Sequence, residues 1–96
     1  MQTLALAATE LDALDDRALV ERARQRDGAA VRLIMQRHNR RLFRVARSVL
    51  HDDAEAEDVV HEAYVRAFTH LDGFRGEAQL STWLTRIALN EALEAG

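Results

Sequence analysis

Two charge clusters and one loop hold the side chains best placed to bind a partner or react. The stretch 52–62 holds six carboxylates, Asp52, Asp53, Glu55, Glu57, Asp58 and Glu62, and no Arg. Such a run invites a basic partner, or it is the solvated start of a helix, where carboxylates suit the positive end of the dipole. Upstream, Arg32, Arg37, Arg40, Arg41, Arg44 and Arg47 fall on one outer helical face. That face is either a track for a phosphate backbone or a solvated cationic surface, and the pattern leaves both readings open. Phe74-Arg75 sits between Gly73 and Gly76. A loop aromatic either tucks onto the domain or stacks on a ligand. Beside an Arg it suits an unstacked base, since any base face can stack and the guanidinium reaches phosphate. The two arrangements forecast opposite behaviour. A stacking Phe74 replaced by Ala loses strand binding and hardly changes stability, whereas a tucked one costs about 3–5 kcal/mol of folding stability. Trp83, at helical spacing with Leu80, Leu84 and Ile87, reads more readily as core than as a base contact.

No enzymatic constellation forms, and the chain is not read as an enzyme. His38, His51, His61 and His70 are scattered. His61-Glu62 lacks the second His one turn on, where the residue is Val65. Glu57 and His61 form an i, i+4 pair that could catch a stray metal, but a solvated face is the preferred reading. His38 lies on an apolar stripe and reads as a semi-buried, satisfied histidine. Ser48, Ser81 and Thr82 have no evident base nearby in sequence, and Gly73-x-x-Gly76 is too short for a phosphate loop. With no Cys, disulfides, thiolate metal sites and a Cys nucleophile are excluded. No cofactor and no metal are expected.

Helices are expected to carry these groups. The chain of 96 residues fits one small domain with a thin core, 48% apolar. It has no Pro, four Gly, 17 Ala and 13 Leu, a poor mixture for tight-turned β structure and a good one for helix. No apolar stretch is long enough to span a membrane, and the first residues lack a basic secretory n-region, so a cytoplasmic location is the expectation. All 13 basic residues are Arg. Residues 15–50 carry ten Arg against four acids, a balance of +6, and residues 51–96 carry three Arg against ten acids, a balance of −7. Either the halves meet different polar partners or one neutralises the other.

Residues 1–14 read as a loose tail or a short, poorly fixed helix, and residues 15–96 as the domain. Asp15 or Asp16 caps a helix through about Arg26, with Leu19, Val20 and Ala23 inward, and Asp27-Gly28 ends it. A second helix over about 29–50 carries the stripe Val31, Ile34, Met35, His38, Leu42, Val45, Ala46 and Val49. His51-Asp52-Asp53 breaks and recaps the chain. The third helix, about 54–71, buries Ala56, Val59, Val60, Ala63, Ala67 and Leu71. After the loop 72–77, a fourth helix starts near Ser81 with Leu80, Trp83, Leu84, Ile87, Ala88 and Leu93 inward. The fold class is all-α, a compact bundle of three long helices plus a short N-terminal one.

Three motifs in this order resemble a known family. They are Ala56-Glu57-Asp58-Val59-Val60-His61-Glu62-Ala63-Tyr64-Val65-Arg66-Ala67-Phe68, then Leu71-Asp72-Gly73-Phe74-Arg75-Gly76, then Ser81-Thr82-Trp83-Leu84-Thr85-Arg86-Ile87-Ala88-Leu89-Asn90. Together they look like region 2 of the extracytoplasmic-function (ECF) sigma factors of bacterial RNA polymerase. Leu19 to Gly28 resembles that family's opening helix, so the likeness covers about residues 15–93. It implies docking of Asp58, His61 and Glu62 on the clamp helices of the polymerase's largest subunit. It also implies capture of a flipped base of the non-template strand in the minus-ten promoter element by the loop of Phe74 and Arg75. Asn90, with Arg86 one turn before it, matches the family's position for reading the melted strand. An anti-sigma factor is a further implied partner.

Two departures stand out. His61 takes a position where the family usually has Gln. The family's second domain, which reads the minus-35 element, and the basic end of the fourth helix are absent, so the chain is expected to be a piece of a longer protein. Two other readings compete: a sigma-like decoy that sequesters an anti-sigma factor, against which Phe74, Arg75 and Asn90 argue, and a generic helical protein–protein adaptor.

Overall fold

Three aspartates start three of the helices in the computed structural model, which describes residues 8–95. Helix α1 spans Ala8–Asp12, α2 Asp16–Arg24, α3 Gly28–Leu50, α4 Asp53–Thr69 and α5 Leu80–Ala95, with a 3₁₀ turn at Leu71–Gly73 before α5. Asp15 accepts the Ala18 N–H at 2.9 Å. Asp27 accepts those of Ala29 and Ala30 at 3.0 and 3.4 Å, and Asp52 that of Glu55 at 2.9 Å. Each cap satisfies donors that the first turn leaves free and is worth about 1 kcal/mol.

The α2–α3 junction differs from the sequence reading. Gly28 does not terminate α2; it is the first residue of α3, which Asp27 caps. The left-handed position falls to Arg26, with φ 65°. The turn closes by N–H bonds from Arg26 to the Ala23 carbonyl and from Asp27 to that of Arg22. The Arg22 guanidinium also holds the Asp27 carboxylate at 2.9 Å, so one side chain caps α3 and ties it to α2. At the next corner His51 takes the left-handed conformation, φ 60°, and Asp52 restarts the chain.

Helix α5 packs on α3 and α4, α3 also packs on α4, and α2 lies across α3. The largest fully buried side chains are Leu19, Val20, Ile34, Leu42 and Leu84. Ala46, Ala56, Ala67, Ala88 and Ala92 are wholly buried at the helix contacts, where a small side chain lets the axes approach. Leu93, expected inward, is 60% exposed, and Ala92 takes the inward place. Tyr64, which the apolar stripe of the third helix left out, is buried and donates its hydroxyl to the Met35 carbonyl at 3.2 Å. Burial pushes its hydroxyl pKa up, which keeps it a neutral donor. His38 is buried, with Nε2 3.0 Å from Asp16 Oδ2. Arg37 reaches the other oxygen of Asp16 at 3.2 Å and the Asp12 carbonyl at 2.9 Å. This network fixes the start of α2 on α3. Leu11 of α1 is in the core, while residues 1–7 of the stretch read as a tail lie outside the described residues. Among the described residues no helix is long and apolar enough to cross a membrane.

Two measurements check this packing. Leu84→Ala is expected to lower unfolding free energy by about 2–5 kcal/mol, and Leu93→Ala to stay within about 0.5 kcal/mol of wild type; denaturant titration reads both. The second concerns acid. Burial pushes the Asp27 carboxyl up, but the bonds from Arg22, Ala30 and Ala29 outweigh it and hold it below its ordinary 3.8. A depressed carboxyl gives stability that is present above its unfolded-state value and lost as pH falls through the folded one. Asp27→Asn therefore melts earlier than wild type at neutral pH, and the gap in Tm closes as pH drops below 3.8.

Candidate functional site

The connection from α4 to α5 has little secondary structure of its own, so its carbonyls must find donors elsewhere. They find them on α2. Arg24 Nη2 donates to the carbonyls of Leu71, at 3.4 Å, and of Phe74. Arg17, two turns earlier, donates to the Gly76 carbonyl at 3.4 Å. Gly76 has φ +78°, and a Cβ there would lie 3.1 Å from the Arg17 guanidinium. Glycine serves at this position both the backbone conformation and the close approach. Sequence reading missed Arg17 and Arg24 as loop supports. They lie 47 to 59 residues from the groups they hold, and no local pattern announces such a contact.

Phe74 is tucked. Its side chain is 6% exposed and its ring lies 5.3 Å from that of Trp83, tilted by 53°. The forecast that its truncation would spare stability is therefore replaced by its opposite. Phe74 still forms a wall of two surface clefts. One, of about 590 Å³, runs along Asp15, Arg17, Gly76, Gln79 and Ser81. The other, of about 360 Å³, includes Arg24, Asp72 and the exposed Arg75. Trp83, Arg86 and Asn90 follow at steps of three and four and share one stripe of α5. Trp83 is half-buried against Phe74, and Arg86 and Asn90 are exposed. The fold thus lines up the loop, Trp83, Arg86 and Asn90 over roughly 10 Å of helix.

Asp58, His61 and Glu62 are all exposed on α4. Asp58 and Glu62 line a groove of about 400 Å³ with Glu55, Val59, Glu91 and Glu94, and His61 does not. No local pattern announces that Glu91 and Glu94 join this group, because α5 brings them there only in the folded bundle. Glu91 is largely buried and accepts from Arg66 Nε at 2.6 Å. The groove and the Phe74 loop lie at opposite ends of α5, roughly 20 Å apart along its axis.

The two charged halves do not neutralise each other. Among the described residues, Arg47–Asp53 at 2.7 Å is the ion pair that joins them, and it is exposed. Arg22–Asp27, Arg24–Glu21 and Arg37–Asp16 stay within the basic half, and Arg66–Glu91 within the acidic half.

The family model described as Sigma-70 region 2 matches residues 34–95. Among similar proteins are the RNA polymerase sigma-H factor of Pseudomonas aeruginosa, 38% identical over 77 residues, and the ECF RNA polymerase sigma-E factor of Escherichia coli K12, 40% identical over 79. The sigma-E factor of Haemophilus influenzae is 40% identical over 80 residues. These matches cover 80–82% of the chain but only 40–41% of each relative, so the chain spans about two-fifths of the length of the curated relatives it matches. The family match starts at Ile34 and so leaves out α2, which supplies Arg17 and Arg24.

The loop geometry sets a test. Phe74→Ala is expected to cost about 3–5 kcal/mol of unfolding free energy. Arg24→Ala, which strips donors from two carbonyls, should cost about 1–3 kcal/mol and speed proteolytic cutting within 71–76. Thermal unfolding and limited proteolysis of both variants check this.

Proposed function

Since the chain belongs to the sigma-70 region 2 family, we propose that it is the part of a bacterial transcription initiation factor that joins RNA polymerase core to the minus-ten promoter element. It is not an enzyme in this reading, and it acts in the cytoplasm, where polymerase is. The observation that carries the proposal is the separation of an acidic groove and an Arg- and aromatic-lined loop to opposite ends of α5. Two partners of opposite charge can then be held at once.

Asp58 and Glu62 stand one turn apart on the groove wall and meet basic side chains of the largest-subunit clamp helices. His61 lies beside them on the exposed side of α4 and makes the rim contact. The acidic groove is also the surface for an anti-sigma factor, which by occupying it would withhold the chain from polymerase.

At the other end, the non-template strand of the minus-ten element lies against the loop. Phe74 and Trp83 form an apolar wall for a flipped base, and Arg75 supplies a guanidinium for its phosphate. Arg86 and Asn90 contact the melted strand along α5. Flipping a base costs a few kcal/mol, which stacking and hydrogen bonding return. Phe74 acts as a wall of the pocket rather than as a free stacking platform, in keeping with its burial.

The test has two arms. Asp58→Lys/Glu62→Lys should keep the wild-type circular dichroism spectrum, since both residues are exposed, and weaken capture of polymerase core by about 2–5 kcal/mol if the pairs are desolvated. In fluorescence anisotropy with minus-ten single strands, Asn90→Ala and Arg86→Ala should each weaken binding, and Arg75→Ala should lower the salt slope by about 0.7. Unchanged core affinity in the double variant sinks the docking assignment; unchanged strand binding in all three single variants sinks the promoter assignment.

A further inference from the structure

Helix α2 decides which way the peptides of the loop face. Past the 3₁₀ turn, Phe74 continues in an extended conformation, φ −83° and ψ 111°. Among the described residues, the last backbone bonds before α5 run from the Gly73 N–H to the His70 carbonyl and from the Phe74 N–H to that of Leu71. From there on the bonds come from α2. Arg24 Nη2 stands between the carbonyls of Leu71 and Phe74, and Arg17 Nη2 reaches that of Gly76. In a trans peptide the C=O and the following N–H point in opposite directions. Seating the Phe74 and Gly76 carbonyls on α2 therefore turns the N–H groups of Arg75 and Glu77 away from it. Neither N–H has an acceptor among the described residues. Arg24 is itself held: its Nη1 pairs with Glu21, and its side chain is 30% exposed.

We infer that Arg24 and Arg17 of α2 are positioning residues for promoter reading: without touching the strand, they hold the loop backbone in the orientation that tells one sequence from another. The inference rests on the promoter-strand reading above and adds to it two residues outside the loop. Arg24 serves two carbonyls with one nitrogen and Glu21 with the other, which needs the planar fork of a guanidinium and which a Lys cannot copy. The bend at Gly76 is shaped around Arg17, since a Cβ there would lie 3.1 Å from it. Both arginines border the cleft of about 360 Å³ that Arg75 also lines, so moving either one moves the wall beside Arg75. A loop released from α2 samples several peptide orientations, and a strand that reads it must order it again. Ordering the backbone of one residue weakens binding by about five- to thirtyfold. That loss falls on a strand read by its bases. A strand held by its phosphates alone does not use the loop's shape.

The test uses the 96-residue chain and two fluorescein-labelled single strands of about ten nucleotides. One is the strand that the wild-type chain selects from a random pool, and the other is oligo-dT. Anisotropy titrations at several salt concentrations give the ratio of the two affinities and both salt slopes. Arg24→Ala should weaken the selected strand by about five- to thirtyfold and leave oligo-dT and both slopes at their wild-type values. Arg24→Lys, which keeps the charge but not the fork, should lower the ratio as well. Arg17→Ala, which removes one long bond, should lower it by about two- to tenfold. A partly unfolded variant loses both strands in proportion, so the ratio separates positioning from lost stability. If Arg24→Ala lacks the wild-type circular dichroism spectrum, Glu21→Ala, which frees Nη1 of Arg24, should lower the ratio in its place. An unchanged ratio in the folded variant overturns the proposal. So does a slope lowered by about 0.7 on both strands in Arg24→Ala and restored in Arg24→Lys, which would make Arg24 a phosphate contact. A pool that yields no preferred strand fells the promoter reading and this inference with it. A preferred strand whose ratio survives the loss of Arg24 fells the inference alone.

Discussion

The hydrogen bonds from Arg24 to the carbonyls of Leu71 and Phe74 are the contact on which the site depends. A loop between two helices must satisfy its own backbone, and in a chain this short there is no spare layer of structure to do it. Helix α2 supplies the donors, and its own position is fixed by Leu19 and Val20 in the core and by the Asp16–His38 and Arg22–Asp27 contacts. Loop shape is thus coupled to the seating of α2 on α3. With Phe74 anchored and Gly76 bent around Arg17, the cleft walls are in place before any ligand arrives. Less ordering free energy is then lost on binding.

The burial of Phe74 gives the loop two duties that pull against each other. The ring holds the connection to the bundle through Trp83, and its neighbours shape the clefts on either side. A side chain that leaves the core to stack on a base gives up its apolar burial, a loss of about the same size as the stacking gain. Binding against the edge of a seated ring avoids that exchange. Arg75, next to the seated ring, stays exposed.

Much of the bundle was legible in the sequence because its helices announce themselves locally. The stripes of α3 and α4 and the Asp52 cap follow from period and residue type alone, and His38 on the apolar stripe proved buried and partnered. The errors arose where a local rule had two solutions. Gly28 was the obvious left-handed residue, but Asp27 captures the next helix and forces Arg26 into that role. Leu93 and Ala92 compete for one inward position at a helix end, and the smaller residue fits against α4. Of the candidate site, Asp58, Glu62, Arg75, Arg86 and Asn90 are named through the resemblance of three motifs to the family. Arg17, Arg24, Glu91 and Glu94 could not be named in this way, since each joins its group only through contacts across the fold.

The distribution of charge costs each helix stability. Like charges at i, i+3 and i, i+4 on a helix destabilise it by a few tenths of a kcal/mol per pair. Helix α3 holds Arg37, Arg40, Arg41 and Arg44 at those spacings, and the α4 end of the acidic groove holds Glu55, Asp58 and Glu62 in the same way. Folding relieves Arg37 alone, through Asp16; among the described residues Arg40, Arg41 and Arg44 on α3 and Glu55, Asp58 and Glu62 on α4 take part in no ion pair. A bundle selected for stability alone would interleave the signs. Sequences that specify a fold break such local rules mainly where a site requires it. The unrelieved repulsion on α3 and on α4 is what an opposite charge arriving from outside would remove. That is the physical reason for giving each cluster its own partner.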